Sequence, residues 1–126
     1  MNEPRFDAAM LDRLRRERRV RLETRRHMGG PVHRTTIWIV VDDADRALIR
    51  SWRGAGARWY REATGGQATA LIVGRDLIPV TVVHATDAER VASCSGALEA
   101  KYAGDPATRE MVADEVLDTT LEVSPV

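Results

Sequence analysis

A run of seven β-branched, apolar and aromatic residues, Thr35-Thr36-Ile37-Trp38-Ile39-Val40-Val41, predicts a central strand covered on both faces. The polar residues 42–45 follow it as a turn, and residues 47–52 return as an antiparallel partner. Before this hairpin, residues 20–25 alternate between apolar or small and charged side chains, the pattern of a strand with one solvated face. A Gly-Gly-Pro turn at residues 29–31 separates the first strand from the second. The segment therefore predicts an antiparallel sheet.

The remaining patterns extend this sheet and add helices. Asp7 can cap a first helix, and Thr86 with Glu89 forms a capping-box pattern that opens a later one. The predicted elements, in order, are a helix over 7–18, strands over 20–25, 35–41 and 47–52, a short helix over 57–63, a hairpin of strands over 68–73 and 78–84, a helix through Val91, Cys94, Leu98 and Tyr102, a short helical stretch from Asp105 and a strand over 119–123. A six-stranded antiparallel barrel with flanking helices, mainly β (α+β), removes exposed sheet edges economically.

Length and composition restrict the class of protein. With 126 residues, 44% hydrophobic and 30% charged, the chain fits one domain over residues 1–126, with the N-terminal helix in 1–18 and the barrel in 19–126. Apolar runs are far shorter than the ~20 residues of a membrane span, the N-terminus lacks the apolar region of a signal peptide, and Cys94 is the sole cysteine. We expect a cytoplasmic protein with no disulfide and no membrane partner, in which Cys94 is a packed thiol.

Charge and motifs exclude further classes. Lys and Arg balance Asp and Glu at 19 each, although the first 34 residues are rich in arginine. Nucleic-acid binding through residues 13–26 is a minor alternative, because binders usually have a high pI and this chain has a pI of about 6.8. The histidines His27, His33 and His84 do not have the spacing of metal ligands within one helix, so no metal site is expected. Dinucleotide-binding, phosphate-loop and zinc-protease motifs are absent from the sequence.

The segment Arg50–Gly54, followed by Arg58-Trp59-Tyr60-Arg61, concentrates arginine and aromatic residues within twelve positions. One interpretation is structural: the aromatic rings close one end of the barrel while the arginines face water. The other is functional: guanidinium groups and a hydroxyl bind phosphate while flat aromatic side chains border a planar heterocycle. The segment Arg25–Thr35 around the Gly-Gly-Pro turn, which includes Arg26 and Arg34, allows the same two interpretations.

Several spaced blocks resemble a small bacterial family of unknown function allied to the split β-barrel flavoproteins, which include pyridoxamine-phosphate-oxidase-like and deazaflavin-dependent nitroreductase-like proteins. The resemblance covers about residues 18–125. The blocks are Leu22-Glu23-Thr24-Arg25-Arg26, Gly29-Gly30, Arg34 to Val41, Arg50-Ser51-Trp52-Arg53-Gly54, Arg58-Trp59-Tyr60-Arg61, Ala100-Lys101-Tyr102 and Thr119-Thr120-Leu121.

This resemblance implies a homodimer of split barrels with an isoalloxazine or deazaflavin ring in each cleft between subunits. The residues that it implies for cofactor binding are Arg26, Arg34, Thr36, Trp38, Arg50, Ser51, Trp52, Arg53, Gly54 and Trp59. Tyr60 or Tyr102 could donate a proton. The turn at residues 25–30 lacks the serine and lysine that those relatives often use for phosphate.

Two functions remain open at this level. The first is an oxidoreductase that uses FMN or deazaflavin to transfer hydride to a small organic molecule, with the hydride chemistry belonging to the cofactor. The second is a cofactor-free barrel that binds a small molecule or acts as a non-redox enzyme, such as an isomerase or cyclase of a biosynthetic pathway.

Overall fold

The computed structural model describes residues 4–126. The strands are β1 (Val20–Arg25), β2 (Val32–Ile37), β3 (Val40–Val41), β4 (Ala47–Ile49), β5 (Thr69–Val73), β6 (Asp76–His84) and β7 (Leu121–Pro125). The helices are α1 (Ala8–Arg16), α2 (Arg58–Ala63), α3 (Ala88–Lys101) and α4 (Thr108–Met111), and 3₁₀ helices cover Gly54–Gly56 and Asp114–Thr119. The protein is mainly β with flanking helices, as the sequence predicts.

All neighbouring strands are antiparallel in a seven-stranded sheet of order β2-β1-β5-β6-β7-β4-β3. The two outermost strands, β2 and β3, are consecutive along the chain and are separated only by Trp38 and Ile39. Two strands that are joined so closely can lie at opposite edges only if the sheet curls round on itself. The result is a curled antiparallel half-barrel.

The prediction of six strands was wrong, because the single strand expected over residues 35–41 is divided. Its first part belongs to β2, which begins earlier, at Val32, and its last part forms β3 at the other edge. The expectation that this strand is central was also wrong, because β2 and β3 lie at the two edges of the sheet. Its side chains are covered unevenly, since Thr36 is exposed whereas Ile37, Ile39 and Val40 are buried. A bend at Trp38-Ile39 allows one chain segment to supply both edges.

Both predicted hairpins are confirmed. In the first, Val40 and Val41 pair with Leu48 and Ala47, and in the second, residues 69–73 pair with residues 76–80. The first hairpin's second strand ends at Ile49 and does not reach Trp52. One reason is that the Ser51 N–H donates to the side-chain oxygen of Thr119, at 2.9 Å, instead of to a neighbouring strand. This early end leaves residues 50–53 free to turn toward α2.

Two apolar clusters form the core. The larger lies inside the curl of the sheet and includes Leu14 of α1, Leu22 of β1 and Leu71 of β5. The smaller lies between β3–β4 and the helices and contains Cys94, which is fully buried as expected of a packed thiol. Burial raises the pKa of this thiol to about 11.

The sequence predicts the N-cap of α1 correctly and the N-cap of α3 incorrectly. Asp7 caps α1 by accepting a hydrogen bond from the Met10 N–H at 2.8 Å. The capping box expected from Thr86 and Glu89 is not formed, because the Asp87 carboxylate caps α3 through the Arg90 N–H at 3.0 Å. A charged cap is favoured here since the same carboxylate also pairs with the Arg90 side chain. No helix within residues 4–126 is long and apolar enough to cross a bilayer.

A tryptophan-lined candidate site

A cavity of about 300 Å³ opens between β2, the segment that follows β4, and α2. It brings together six of the residues that the sequence pointed to as cofactor ligands. They are Thr36, Trp38, Arg50, Trp52, Arg53 and Trp59, and the lining is completed by Thr35, Ile37, Ala57, Ala107 and Met111. Residues far apart in sequence therefore converge on one aromatic cleft, which we call the tryptophan cleft.

The three tryptophans of the cleft are held differently. Trp38 is stacked on Tyr102, with ring centroids 3.8 Å apart and an angle of 4° between the planes. Trp59 is buried and meets Tyr60 edge to face, at 6.1 Å. Trp52 is 52% exposed and donates its ring N–H to the Glu110 carboxylate. Two walls are thus fixed by core packing, whereas the third stands at the open side.

Arg50 is the largest fully buried side chain of the described residues, with 2% of its surface exposed. Its guanidinium donates to Thr120 Oγ1, Ser95 Oγ and the carbonyls of Met111 and Val91, at distances of 2.9–3.0 Å. These bonds use four of its five N–H donors. All four acceptors are uncharged, and no ion pair within residues 4–126 includes Arg50. Burial lowers the pKa of this guanidinium.

Four of the predicted ligands lie outside the cleft. Ser51 is fully buried and its hydroxyl donates to the Gly54 carbonyl at 2.7 Å, while Gly54 has a φ of +77° at the start of the 3₁₀ helix. These two residues shape the turn that carries Trp52 and Arg53. Arg34 lies on β2 with its Nε 3.1 Å from Glu23 Oε1 on β1. Arg26 lines a different recess, described below.

Both predicted proton donors are buried and neither lines the tryptophan cleft. Tyr102 is 1% exposed, and its hydroxyl donates to the Arg18 carbonyl at 2.7 Å. Burial raises the pKa of Tyr102 to about 12. Burial, aided by the charge of Asp118, also raises the pKa of Tyr60. Each tyrosine supports a cleft tryptophan through ring contact.

A carboxylate that the sequence patterns do not indicate lies at the mouth of the barrel. Glu62 of α2 is 8% exposed, and its Oε1 accepts from Thr24 Oγ1 at 2.9 Å and lies 3.0 Å from His33 Nδ1. Thr24 and His33 are directly paired across β1 and β2. Strand alternation places Thr24 and His33 on the more buried face of β1 and β2. It does not predict Glu62, because the position of this residue depends on how α2 packs against the sheet. The described residues contain no group of three or more His, Cys, Asp or Glu side chains that could hold a metal ion.

Solved structures share this fold at low sequence identity. The chain is similar to a conserved hypothetical protein, Rv2991, from Mycobacterium tuberculosis, with a TM-score of 0.65 and 15% identity over 100% of this chain and 83% of that one. It is also similar to HutZ from Vibrio cholerae, described as a heme storage protein, with a TM-score of 0.68 and 8% identity over 97% and 91% of the two chains. Such likenesses show a common split-barrel-like architecture. No curated protein matches the chain.

The family assignment rests on sequence. Residues 10–123 match the family described as uncharacterized protein conserved in bacteria (DUF2255). The match covers the barrel, the cleft and most of α1, in agreement with the resemblance to a bacterial family of unknown function. The chain therefore belongs to the DUF2255 family of bacterial proteins.

Proposed function

We propose that the tryptophan cleft binds a planar, anionic organic molecule, and that this molecule is FMN or a deazaflavin used to reduce a small organic substrate. The observation that carries the proposal is the buried, unneutralised guanidinium of Arg50 beside three tryptophans. Aromatic walls favour a flat ring, and a buried positive charge favours an anion.

Arg50 and Arg53 bring positive charge to the lining of the cleft. Burying a charge without a counter-ion costs free energy, which an anionic ligand in the adjoining cavity offsets. One N–H donor of Arg50 has no acceptor among the described residues, and the side chain would attract an anionic ligand mainly through its charge. Arg53 is exposed, and its guanidinium carbon lies 5.8 Å from the centre of the Trp52 ring. Its position at the open side suits a direct contact with a phosphate or another anionic substituent.

The shape of the cleft is compatible with a single ring system. Its volume of about 300 Å³ is at the lower limit of the range for small-molecule pockets, ~300–1,000 Å³. Trp38 and Trp59 line the cleft and would border such a ring, and Thr35 and Thr36 add polar side chains to the lining. Ser51 does not fit as a ligand, because its hydroxyl and backbone N–H are both bonded within the protein.

A bound flavin or deazaflavin would supply hydride transfer. The residues of this chain would orient the ring between Trp38 and Trp59, exclude water with the apolar lining of Ile37, Ala57 and Met111, and attract negative charge through Arg50 and Arg53. We also propose a homodimer, in which a second copy covers the open side of the cleft at the half-exposed Trp52. Light scattering coupled to size-exclusion chromatography tests this state, and a monomer at tens of micromolar would refute it.

Titration of the purified protein with FMN and with a deazaflavin, followed by ligand absorbance and tryptophan fluorescence, tests the proposal. We expect saturable binding that Arg53→Gln weakens about 3- to 10-fold, since a guanidinium contact at an exposed site is worth part of the ~1.5–3 kcal/mol of a charged hydrogen bond. Arg75→Gln is the matched control, because Arg75 lies in the exposed turn between β5 and β6.

Three outcomes decide between the alternatives. Binding of either cofactor with substrate-dependent oxidation of its reduced form supports the oxidoreductase. Absence of binding by both removes the redox assignment and leaves the cofactor-free barrel. Haem is included as a competing ligand because the structurally similar HutZ is described as a heme storage protein, and preferential haem binding would also count against the proposal.

A further inference from the structure

A second and larger recess, of about 620 Å³, lies at the mouth of the barrel between the turn after β1 and helix α2. We call it the arginine recess. Its lining consists of Arg26, His27, Pro31, His33, Arg58, Arg61, Glu62 and Gly65. None of these residues lines the tryptophan cleft, so the two cavities are separate even though β2 and α2 contribute to both.

The recess carries an excess of positive charge. The side chains of Arg26, Arg58 and Arg61 form no hydrogen bond or ion pair with any residue in the described range 4–126. Glu62 is the single carboxylate of the lining. Three guanidinium groups around one cavity with one carboxylate leave a net charge that an anionic ligand would neutralise.

The carboxylate of Glu62 forms hydrogen bonds with Thr24 and His33 and none with these arginines. Its Oε1 accepts from Thr24 and binds His33 Nδ1, and the side chain is 7% exposed. Burial alone would raise the pKa of Glu62, but the hydrogen bonds from His33 and Thr24, with the charge of Arg58, hold it below the usual value. Glu62 is therefore an anion that is hydrogen-bonded to His33.

This contact fixes the protonation pattern of the imidazole. A carboxylate only accepts hydrogen bonds, so Nδ1 of His33 is the donor and carries a proton. The other ring nitrogen, Nε2, has no hydrogen-bond partner among the described residues, and His33 lines the recess.

We propose that the arginine recess is a binding site for a small molecule bearing an oxyanion such as a phosphate group, held by Arg26, Arg58 and Arg61. Arginine suits this ligand because its planar fork makes paired, charge-assisted hydrogen bonds to phosphate oxygens.

Isothermal titration calorimetry of the full chain with pyrophosphate, at low ionic strength, tests the site. We expect one saturable site per chain, and a loss of affinity of tenfold or more in the double variant R58Q/R61Q. Both side chains are exposed, so this variant is expected to fold. The control R75Q/R109Q removes the same charge from exposed positions outside both cavities and should change affinity less than threefold.

Two results would overturn the proposal. They are equal weakening by the two double variants and absence of saturable binding. Competition between pyrophosphate and FMN would mean that the recess belongs to the tryptophan cleft. Because pyrophosphate binding is measured without any flavin, failure of the redox proposal leaves this test unaffected.

Discussion

Replacing Arg50 by methionine should lower the free energy of unfolding by about 2–4 kcal/mol, among the larger effects expected of a single substitution. Methionine retains most of the apolar stem but removes the four hydrogen bonds that join β4 to α3, α4 and Thr120 before β7. The reason for a large cost is that three of these contacts link the end of β4 to α3 and α4, which no strand pairing connects to the sheet.

The magnitude follows from two opposing contributions. Hydrogen bonds to a charged group contribute roughly 1.5–3 kcal/mol each, so four of them contribute more than the expected net loss. Burial of the guanidinium costs several kcal/mol, which the methionine variant recovers. The difference is the 2–4 kcal/mol given above. Arg50→Lys keeps the charge but cannot reproduce the planar fork, and should fall between wild type and Arg50→Met.

Equilibrium unfolding in urea, followed by circular dichroism and tryptophan fluorescence, measures this loss. With a slope near 1.5 kcal/mol per molar, within the ~1–3 expected for small proteins, the midpoint should fall by roughly 2 M. Arg53→Met is the control, since this exposed neighbour should change stability by no more than about 0.5 kcal/mol. A midpoint within 0.3 M of wild type for Arg50→Met would show that its internal hydrogen bonds contribute little, and the reasoning would fail.

Three further expectations follow from the fold. Asp7→Ala removes the cap of α1 at Met10 N and should cost about 1 kcal/mol in urea unfolding, while Asp12→Ala on the same helix should cost less. Cys94 should not react with a thiol reagent in the native protein and should react fully in 6 M guanidinium; rapid native labelling would contradict its burial. Burial lowers the pKa of Lys101 from 10.5 to about 8. Between these two pH values the unfolded state binds more protons than the folded state, so the stability of the wild type should rise with pH relative to that of Lys101→Met. Equal pH slopes in the two proteins would exclude that linkage.

Local patterns were sufficient for many of the elements. The alternation in residues 20–25, the turn at residues 42–45, the second hairpin and the cap at Asp7 each depend on neighbours a few positions away. The clustering of Trp52, Arg53 and Trp59 could also be read from sequence, and the structure brings these residues to one cleft. The burial of Arg50 and the exposure of Arg53 could not be predicted, because both residues occupy the same arginine-rich segment.

The sequence by itself determined an antiparallel, mainly β protein with two hairpins, a packed Cys94 and an aromatic, arginine-rich segment. Tertiary structure alone decided that residues 35–41 divide between the two edges of the sheet, that Arg50 is held by groups 41 to 70 positions away, and that Glu62 pairs with His33. The physical reason is the separation along the chain between the residues that interact. Periodicity, turns and caps are set by interactions between near neighbours, whereas closure of a curled sheet and the partners of a buried charge depend on which distant surfaces meet.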